Sequence, residues 1–259
     1  MAKETNKYIC SVGAVDASLV VMPSIVALAL LALKRGYLTP RGAASAVAVG
    51  LAVAAASLSL FAVLTYFFIS SSLLTKLRAE WKREMGLKDV SGRSLRQVVG
   101  VGTPIAVFSL AYLASGDPRL LTAAATAVAV AAADTWASEV GVAYGGAPRY
   151  ILAPWRRVDP GTSGGVTPIG AAASAAGALT TALLAHALGL GDAWKIALLG
   201  YLGEVIDSVL GASLQVKYLC GSQLSETPRP GCVKRGLLSN ETVNLVSGLA
   251  VGTLAVLTP

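Results

Sequence analysis

Read from its amino terminus, the chain alternates long apolar runs with short polar segments rich in glycine and proline, and the runs are continuous rather than striped at helical spacing. A helix needs about 20 apolar residues to cross a hydrocarbon core of ~30 Å. Seven runs fit or approach that length, near Ala14 to Leu33, Gly42 to Ile69, Val98 to Ser115, Leu120 to Ala133, Val166 to Leu190, Trp194 to Leu210 and Val243 to Thr258. The fourth and seventh are short, so they extend into polar residues or sit where the bilayer thins. Lys3 and Lys7 before the first run resemble a secretory signal, but the run is about 20 residues long and lacks a clear A-x-A cleavage site, so it is read as a span.

This pattern predicts an all-α fold, a polytopic integral membrane helical bundle of about seven transmembrane helices, in one integral membrane domain over residues 1–259. After the second run, Leu73, Leu77, Trp81 and Met85 recur every four residues in a charged stretch. That predicts a cytoplasmic interfacial helix and loop over residues 73–97.

Composition strengthens the membrane reading: 54% of residues are hydrophobic and 14% charged, where a soluble domain carries about 25% charge. The net charge of +7 is unevenly distributed. With seven crossings, sixteen Lys and Arg fall on the amino-terminal side, and five (Lys34, Arg35, Arg41, Arg119 and Lys195) fall on the other. The positive-inside bias then predicts a cytoplasmic amino terminus in the cell (plasma) membrane. Anionic lipid headgroups account for much of such a basic face. Phosphorylated substrates would be drawn to it too, and nucleic acid is not an expected partner.

Cysteine and histidine remove several chemistries. Cys10, Cys220 and Cys232 lack metal-ligand spacing. They read as unpaired thiols, with a Cys220–Cys232 pair as the alternative. His186, the one histidine, lies inside the fifth run on the outer side and reads as a helix-packing residue.

Carboxylates and glycines remain, and an ionisable group inside a span marks a functional site by default. Asp134, Thr135, Ser138 and Glu139 end the fourth run, with Asp134 and Ser138 on one helix face and Thr135 and Glu139 on the next. A helix end dipping into water is the bland alternative. Glu204, Asp207 and Ser208 share a face of the sixth run between Gly203 and Gly211, glycines that allow close helix approach. Their alternative role is an ion pair with an arginine. Between these clusters lies Asp159-Pro-Gly161-Thr162-Ser163-Gly164-Gly165-Val-Thr167, directly before the fifth run. It reads either as an anion nest facing a helix N-terminus or as a plain turn. Asn240 and Asn244 open the seventh run one turn apart, after Ser239, where N-capping competes with ligand binding. Carboxylates, an anion nest and basic residues together point to Mg²⁺-bridged phosphate chemistry.

The strings ADTWASEVG, GTSGGVTPIG, GEVIDSVLGAS and NETVNLVSG, in this order, resemble the membrane family that includes transmembrane protein 19 and plant phytyl-phosphate kinase. LTPRGAASAVAVG and GRSLRQVVGVG extend the likeness over nearly the whole chain. The family pattern departs at Val101-Gly102, where Asn-Gly is common, and at Ser239, where Asp is common.

The resemblance implies a CTP-dependent kinase that converts an isoprenoid monophosphate of the phytyl or geranylgeranyl type to the diphosphate, with its active site facing the cytoplasm. By motif match it implies Asp134, Glu139, Glu204 and Asp207 as catalytic and Mg²⁺-binding residues. Phosphate and nucleotide contacts would come from Gly161, Thr162, Ser163, Gly164, Gly165, Thr167, Ser138, Ser208, Asn240 and Asn244, with Arg93, Gln97 and Arg157 nearby. The expected partners are CTP, an isoprenoid phosphate lipid, the bilayer and, as an option, a second copy of the chain. A CDP-lipid-forming cytidylyltransferase, a polyprenol kinase and a membrane transporter are the competing readings.

Overall fold

The computed structural model describes residues 20–84, 92–221, 223–226 and 230–258. Cys10, the first six residues of the predicted first span and Met85 of the predicted interfacial helix lie outside them. Eight apolar helices build the bundle: α1 (Val20–Lys34), α2 (Pro40–Ala56), α3 (Leu58–Thr75), α5 (Leu95–Ser115), α6 (Pro118–Tyr144), α7 (Pro168–Ala187), α8 (Ala193–Leu214) and α9 (Asn240–Leu257). Six of them are long and apolar enough to cross a membrane, α1 and α2 being shorter. A short helix, α4 (Ala79–Glu84), lies between α3 and α5.

Helix starts follow the capping residues. Thr39, Ser57, Ser94, Asp117, Thr167, Asp192 and Ser239 each accept a backbone N–H of the first turn. Ser57 accounts for the main departure from the sequence pattern. The second run, read as one span, is broken there: Ser57 is extended, its N–H closes α2 on Val53, and its hydroxyl caps α3 at Leu60. At 1.5 Å per residue a 28-residue helix would be about 42 Å long, well beyond a ~30 Å core. Two antiparallel helices cover the same residues within it.

That extra turn changes which face the later loops share. Arg93 donates its N–H to Tyr37 and accepts from the Thr39 N–H, so the α1–α2 turn lies beside the start of α5. Lys34, Arg35 and Arg41, expected on the far side, therefore join the motif-bearing face. Among the described residues Arg119 and Lys195 are the cations left on the other face. Val20, the first described residue of α1, lies at that opposite end, and the expected cytoplasmic amino terminus falls on residues outside the described ones. Within the stretch 73–97, Leu73–Thr75 ends α3, α4 is a six-residue helix, Leu95–Gln97 opens α5, and residues 85–91 lie outside the described ones.

Helix α6 is the central post, packed by α3, α5, α7, α8 and α9. Its Ala-rich middle, Ala123 to Ala133, is buried throughout. Small side chains let five helices approach one axis. At residue 203 the approach leaves no room for a side chain, since a Cβ there would lie 2.3 Å from a Val130 methyl.

Two small antiparallel sheets, absent from the sequence expectation, cover the motif-bearing end. One has the order β2 (Ala153–Arg157), β1 (Arg149–Tyr150), β3 (Gly165–Val166), and lies between α6 and α7. The other has the order β5 (Gln223–Ser225), β4 (Lys217–Cys220), β6 (Val233–Arg235), and lies between α8 and α9. In the second, Leu219 faces Val233, which puts Cys220 beside Cys232, and the two form a disulfide. The unpaired reading of these cysteines is corrected by that register.

Candidate functional site

One cavity of about 1290 Å³ opens at the motif-bearing end and runs into the bundle. Its apolar limb is lined by Ile25, Ala32, Val49, Phe61, Leu64 and Phe68, from α1, α2 and α3. Its polar limb gathers Asp134, Ser138, Glu139, Gly161, Thr162, Ser163, Gly164, Gly165, Thr167, Glu204, Asp207, Ser208, Asn240, Asn244 and Arg93. Residues 93 to 244 in sequence thus share one wall. Arg157 is the exception among the expected site residues, lining instead a separate cavity of about 550 Å³ with Arg78 and Asp159. Strand β2 carries it away from the large cavity.

The acidic pair on α8 is buried, and hydroxyls and an amide contact it rather than a cation. Ser208, one turn on, donates to Glu204 at 3.0 Å. Ser247 of α9 donates to Asp207 Oδ2 at 2.8 Å. With its amide nitrogen turned toward α8, Asn244 donates to the same oxygen at 3.0 Å and to the Asn240 carbonyl at 3.1 Å. The asparagine turn at the start of α9 thus orients a carboxylate of α8, while Ser239 caps the helix. The arginine ion pair entertained for Glu204 and Asp207 is not formed among the described residues.

Glu139 differs from this pair. Lys82 of α4 forms an ion pair with its Oε2, and Thr75 donates to Oε1 at 2.6 Å. An ammonium therefore already pairs with this carboxylate, as none does with Glu204 or Asp207 among the described residues. Among the described residues no three His, Cys, Asp or Glu side chains converge as a ready-made metal cluster.

The glycine loop also departs from its expected form. Three of its N–H groups are already used: Thr162 donates to Asp159, Gly165 to Thr162, and Ser163 to Glu226 Oε1 at 2.8 Å. The Ser163 hydroxyl donates to the same Glu226 oxygen, and Gln215 approaches it at 3.4 Å. The loop does wrap an anion, but the anion is a carboxylate of the chain itself. Gly164, at φ +78°, sits where a Cβ would lie 2.4 Å from that of Ala212, so the loop is pressed onto the end of α8.

That end is anchored by two further groups. Lys217 donates to the carbonyls of Gly211 and Ala212, which α8 leaves without helical partners, and the Tyr150 hydroxyl donates to Ala212. Burial pushes the Lys217 ammonium below its ordinary range, against the pull of Glu226, and pushes the Tyr150 phenol up. Gln97, carried over with Arg93, is engaged in a capping box: its side chain accepts the Ser94 N–H at 2.8 Å. His186 lies at the far end, its Nδ1 2.9 Å from the Gly191 carbonyl.

The residues that sequence reasoning missed are Lys82, Ser247, Gln215, Lys217 and Glu226. Two left a signal: Ser247 is one turn beyond Asn244 within NETVNLVSG, and Glu226 is the one acid between Gln215 and Leu238. Lys82 is indistinguishable by type from the cations around it.

Residues 23–252 match the family described as Integral membrane protein DUF92. The chain belongs to this family of integral membrane proteins. It is similar to Protein PGR of Arabidopsis thaliana, at 31% identity over 74% of this chain and 79% of that one. It is also similar to an uncharacterised membrane protein of Methanocaldococcus jannaschii, at 29% identity over 75% of this chain and 74% of the relative. No solved structure matches. The resemblance read from the four motifs is therefore a family relationship.

Proposed function

We propose that this DUF92 protein is an isoprenoid-phosphate kinase, transferring the γ-phosphoryl group of CTP to an isoprenoid monophosphate of the phytyl or geranylgeranyl type. The observation that carries the reading is the shape of the large cavity. An apolar limb among α1, α2 and α3 continues into a limb lined by Asp134, Glu204 and Asp207. At about 1290 Å³ it exceeds the ~300–1,000 Å³ usual for a drug-sized ligand, leaving room for a lipid headgroup beside a nucleotide.

In the proposed reaction an oxygen of the lipid phosphate attacks the γ-phosphorus of CTP. A new P–O bond forms as the bond to the β,γ-bridging oxygen breaks, and CDP leaves with that electron pair. A phosphate nucleophile has a second pKa of about 6 and is largely anionic at neutral pH. It therefore needs no general base, in keeping with a site whose nearest histidine is at the other end of the bundle. Catalysis then rests on positioning and charge neutralisation. Arg93 and the hydroxyl of Thr162, both lining this cavity, supply donors for the phosphates, while Ser208 stays on Glu204. Mg²⁺ is the cofactor this reading requires: Glu204 and Asp207, with Asp134 lining the same cavity, would hold it together with phosphate oxygens, because the ion takes one or two carboxylates and completes its shell from substrate and water. Once bound it neutralises phosphate charge. The hydroxyl and amide partners of Glu204 and Asp207 leave their charge available for it.

The orientation proposed is a cytoplasmic site in the plasma membrane, supported by the Lys and Arg gathered in the loops at that end. The test is incubation of purified protein with γ-labelled CTP, Mg²⁺ and geranylgeranyl phosphate, beside Asp207→Asn. Labelled lipid diphosphate from the wild type alone is the expected result. No product across prenyl chain lengths and nucleotides would sink the kinase reading. Release of pyrophosphate with a CDP-lipid would replace it by cytidylyl transfer.

A further inference from the structure

We infer that Lys82 is a phosphate ligand of the large cavity and that Glu139 is its positioning residue, an assignment that rests on the kinase reading above. Lys82 is 4% exposed, yet its side chain lines the cavity. An ammonium carries three N–H donors. Among the described residues one acceptor is within reach, Glu139 Oε2, which leaves two donors on a nearly water-free cation at the wall of a cavity. Leaving such donors without acceptors is costly in a desolvated setting. A phosphate oxygen meets the need, because charge-assisted hydrogen bonds between an ammonium and an oxyanion are among the strongest available and gain strength as the dielectric falls.

Glu139 and Thr75 fix where that ammonium points. The carboxylate accepts from Lys82 on one oxygen and from Thr75 on the other, and Thr75 ends α3 while Glu139 lies in the last turns of α6. The pair ties α4 to the central helix at the polar limb. A lysine held by a glutamate is an established way to keep an ammonium on the phosphates of a nucleotide. The expected metal-binding role of Glu139 is thereby replaced by a positioning one, and the site keeps Asp134, Glu204 and Asp207 as its acidic groups. The ligand class is a phosphate monoester or polyphosphate, carried by either substrate.

The test measures equilibrium binding to the purified full-length protein with Mg²⁺ present. CTP and geranylgeranyl phosphate are titrated separately, with geranylgeraniol as the phosphate-free control. The variants are Lys82→Met, Lys82→Arg and the double Lys82→Met/Glu139→Gln. The double variant removes both charges, so no buried carboxylate is stranded, and its folding is checked by thermal unfolding and size exclusion. In Lys82→Met and the double variant, dissociation of one phosphate-bearing ligand rises roughly tenfold or more. Geranylgeraniol binding is unchanged, and Lys82→Arg restores most of the loss. Whichever ligand weakens names the substrate that Lys82 holds. A folded double variant that binds both phosphate ligands as tightly as wild type overturns the assignment and leaves the kinase reading standing. A wild-type protein that binds neither ligand overturns both.

Discussion

Adding one methyl group at residue 203 should unfasten the contact that brings the acidic clusters together. Gly203 lies on α8 one turn before Asp207 and faces Val130 of α6. A Cβ there would stand 2.3 and 2.9 Å from the two Val130 methyls and 3.1 Å from its Cβ. Carbon pairs prefer 3.5–4.0 Å, so the overlap exceeds an ångström. Val130 is 4% exposed and β-branched, and its χ1 is held to essentially one helical rotamer, so it cannot swing both methyls clear. The helices must part, and overpacking of this kind costs about 1–3 kcal/mol, roughly a 5- to 150-fold shift of the folding equilibrium. Parting α6 from α8 also separates Asp134 from Asp207, so Gly203→Ala should lose activity together with stability. The assay is reversible unfolding in mixed micelles of wild type, Gly203→Ala, Val130→Ala and the double variant. Trimming Val130 restores the room, so the double variant should be more stable than the sum of the singles by about 1–3 kcal/mol. A Gly203→Ala protein as stable as wild type, or strictly additive singles, would refute the reasoning.

Two other outcomes follow from the loops around the cavity. Ser163→Ala and Glu226→Gln each weaken the carboxylate contact that joins the glycine loop to the β4–β5 hairpin. Each should cost about 1–3 kcal/mol in the same unfolding assay, with the double variant costing much less than the sum; full additivity would show that the contact contributes nothing. Lys217 gives a pH dependence, because burial lowers its folded pKa below the ordinary value of 10.5. The unfolded chain then holds more protons between those two values, so this residue's contribution opposes folding below the folded pKa and is relieved as pH rises toward 10.5. Relative to Lys217→Met, the wild type should gain stability with rising alkaline pH, and a parallel pair of unfolding curves across that range would exclude the effect.

Much of the molecule is legible in one dimension. Runs of apolar residues longer than a bilayer is thick leave the chain little alternative to spanning helices, because the backbone must satisfy its own hydrogen bonds in lipid. Asp134, Glu204 and Asp207 announce themselves because an acid within such a run is costly unless it has a purpose. The four motifs identify the family, and they line one cavity. What the pattern hid was a break: a single serine, ordinary in composition, became a cap and turned one apolar run into two helices. Periodicity cannot separate a long span from a hairpin when both halves are equally apolar, whereas length against bilayer thickness could have done so.

The sequence by itself determined that this is a helical membrane protein, which acidic and glycine motifs it carries, and to which family it belongs. These properties are local, since hydropathy, capping and motif identity are read residue by residue. Only the tertiary structure decided the pairings. It matched Glu139 with Lys82, Ser163 with Glu226 and Asp207 with Ser247, and set Arg157 in a different cavity from Arg93. Each pairing joins residues 40 to 63 positions apart, and which oxygen meets which donor depends on how closely helices pack around the small residues of α6. No one-dimensional pattern records that distance.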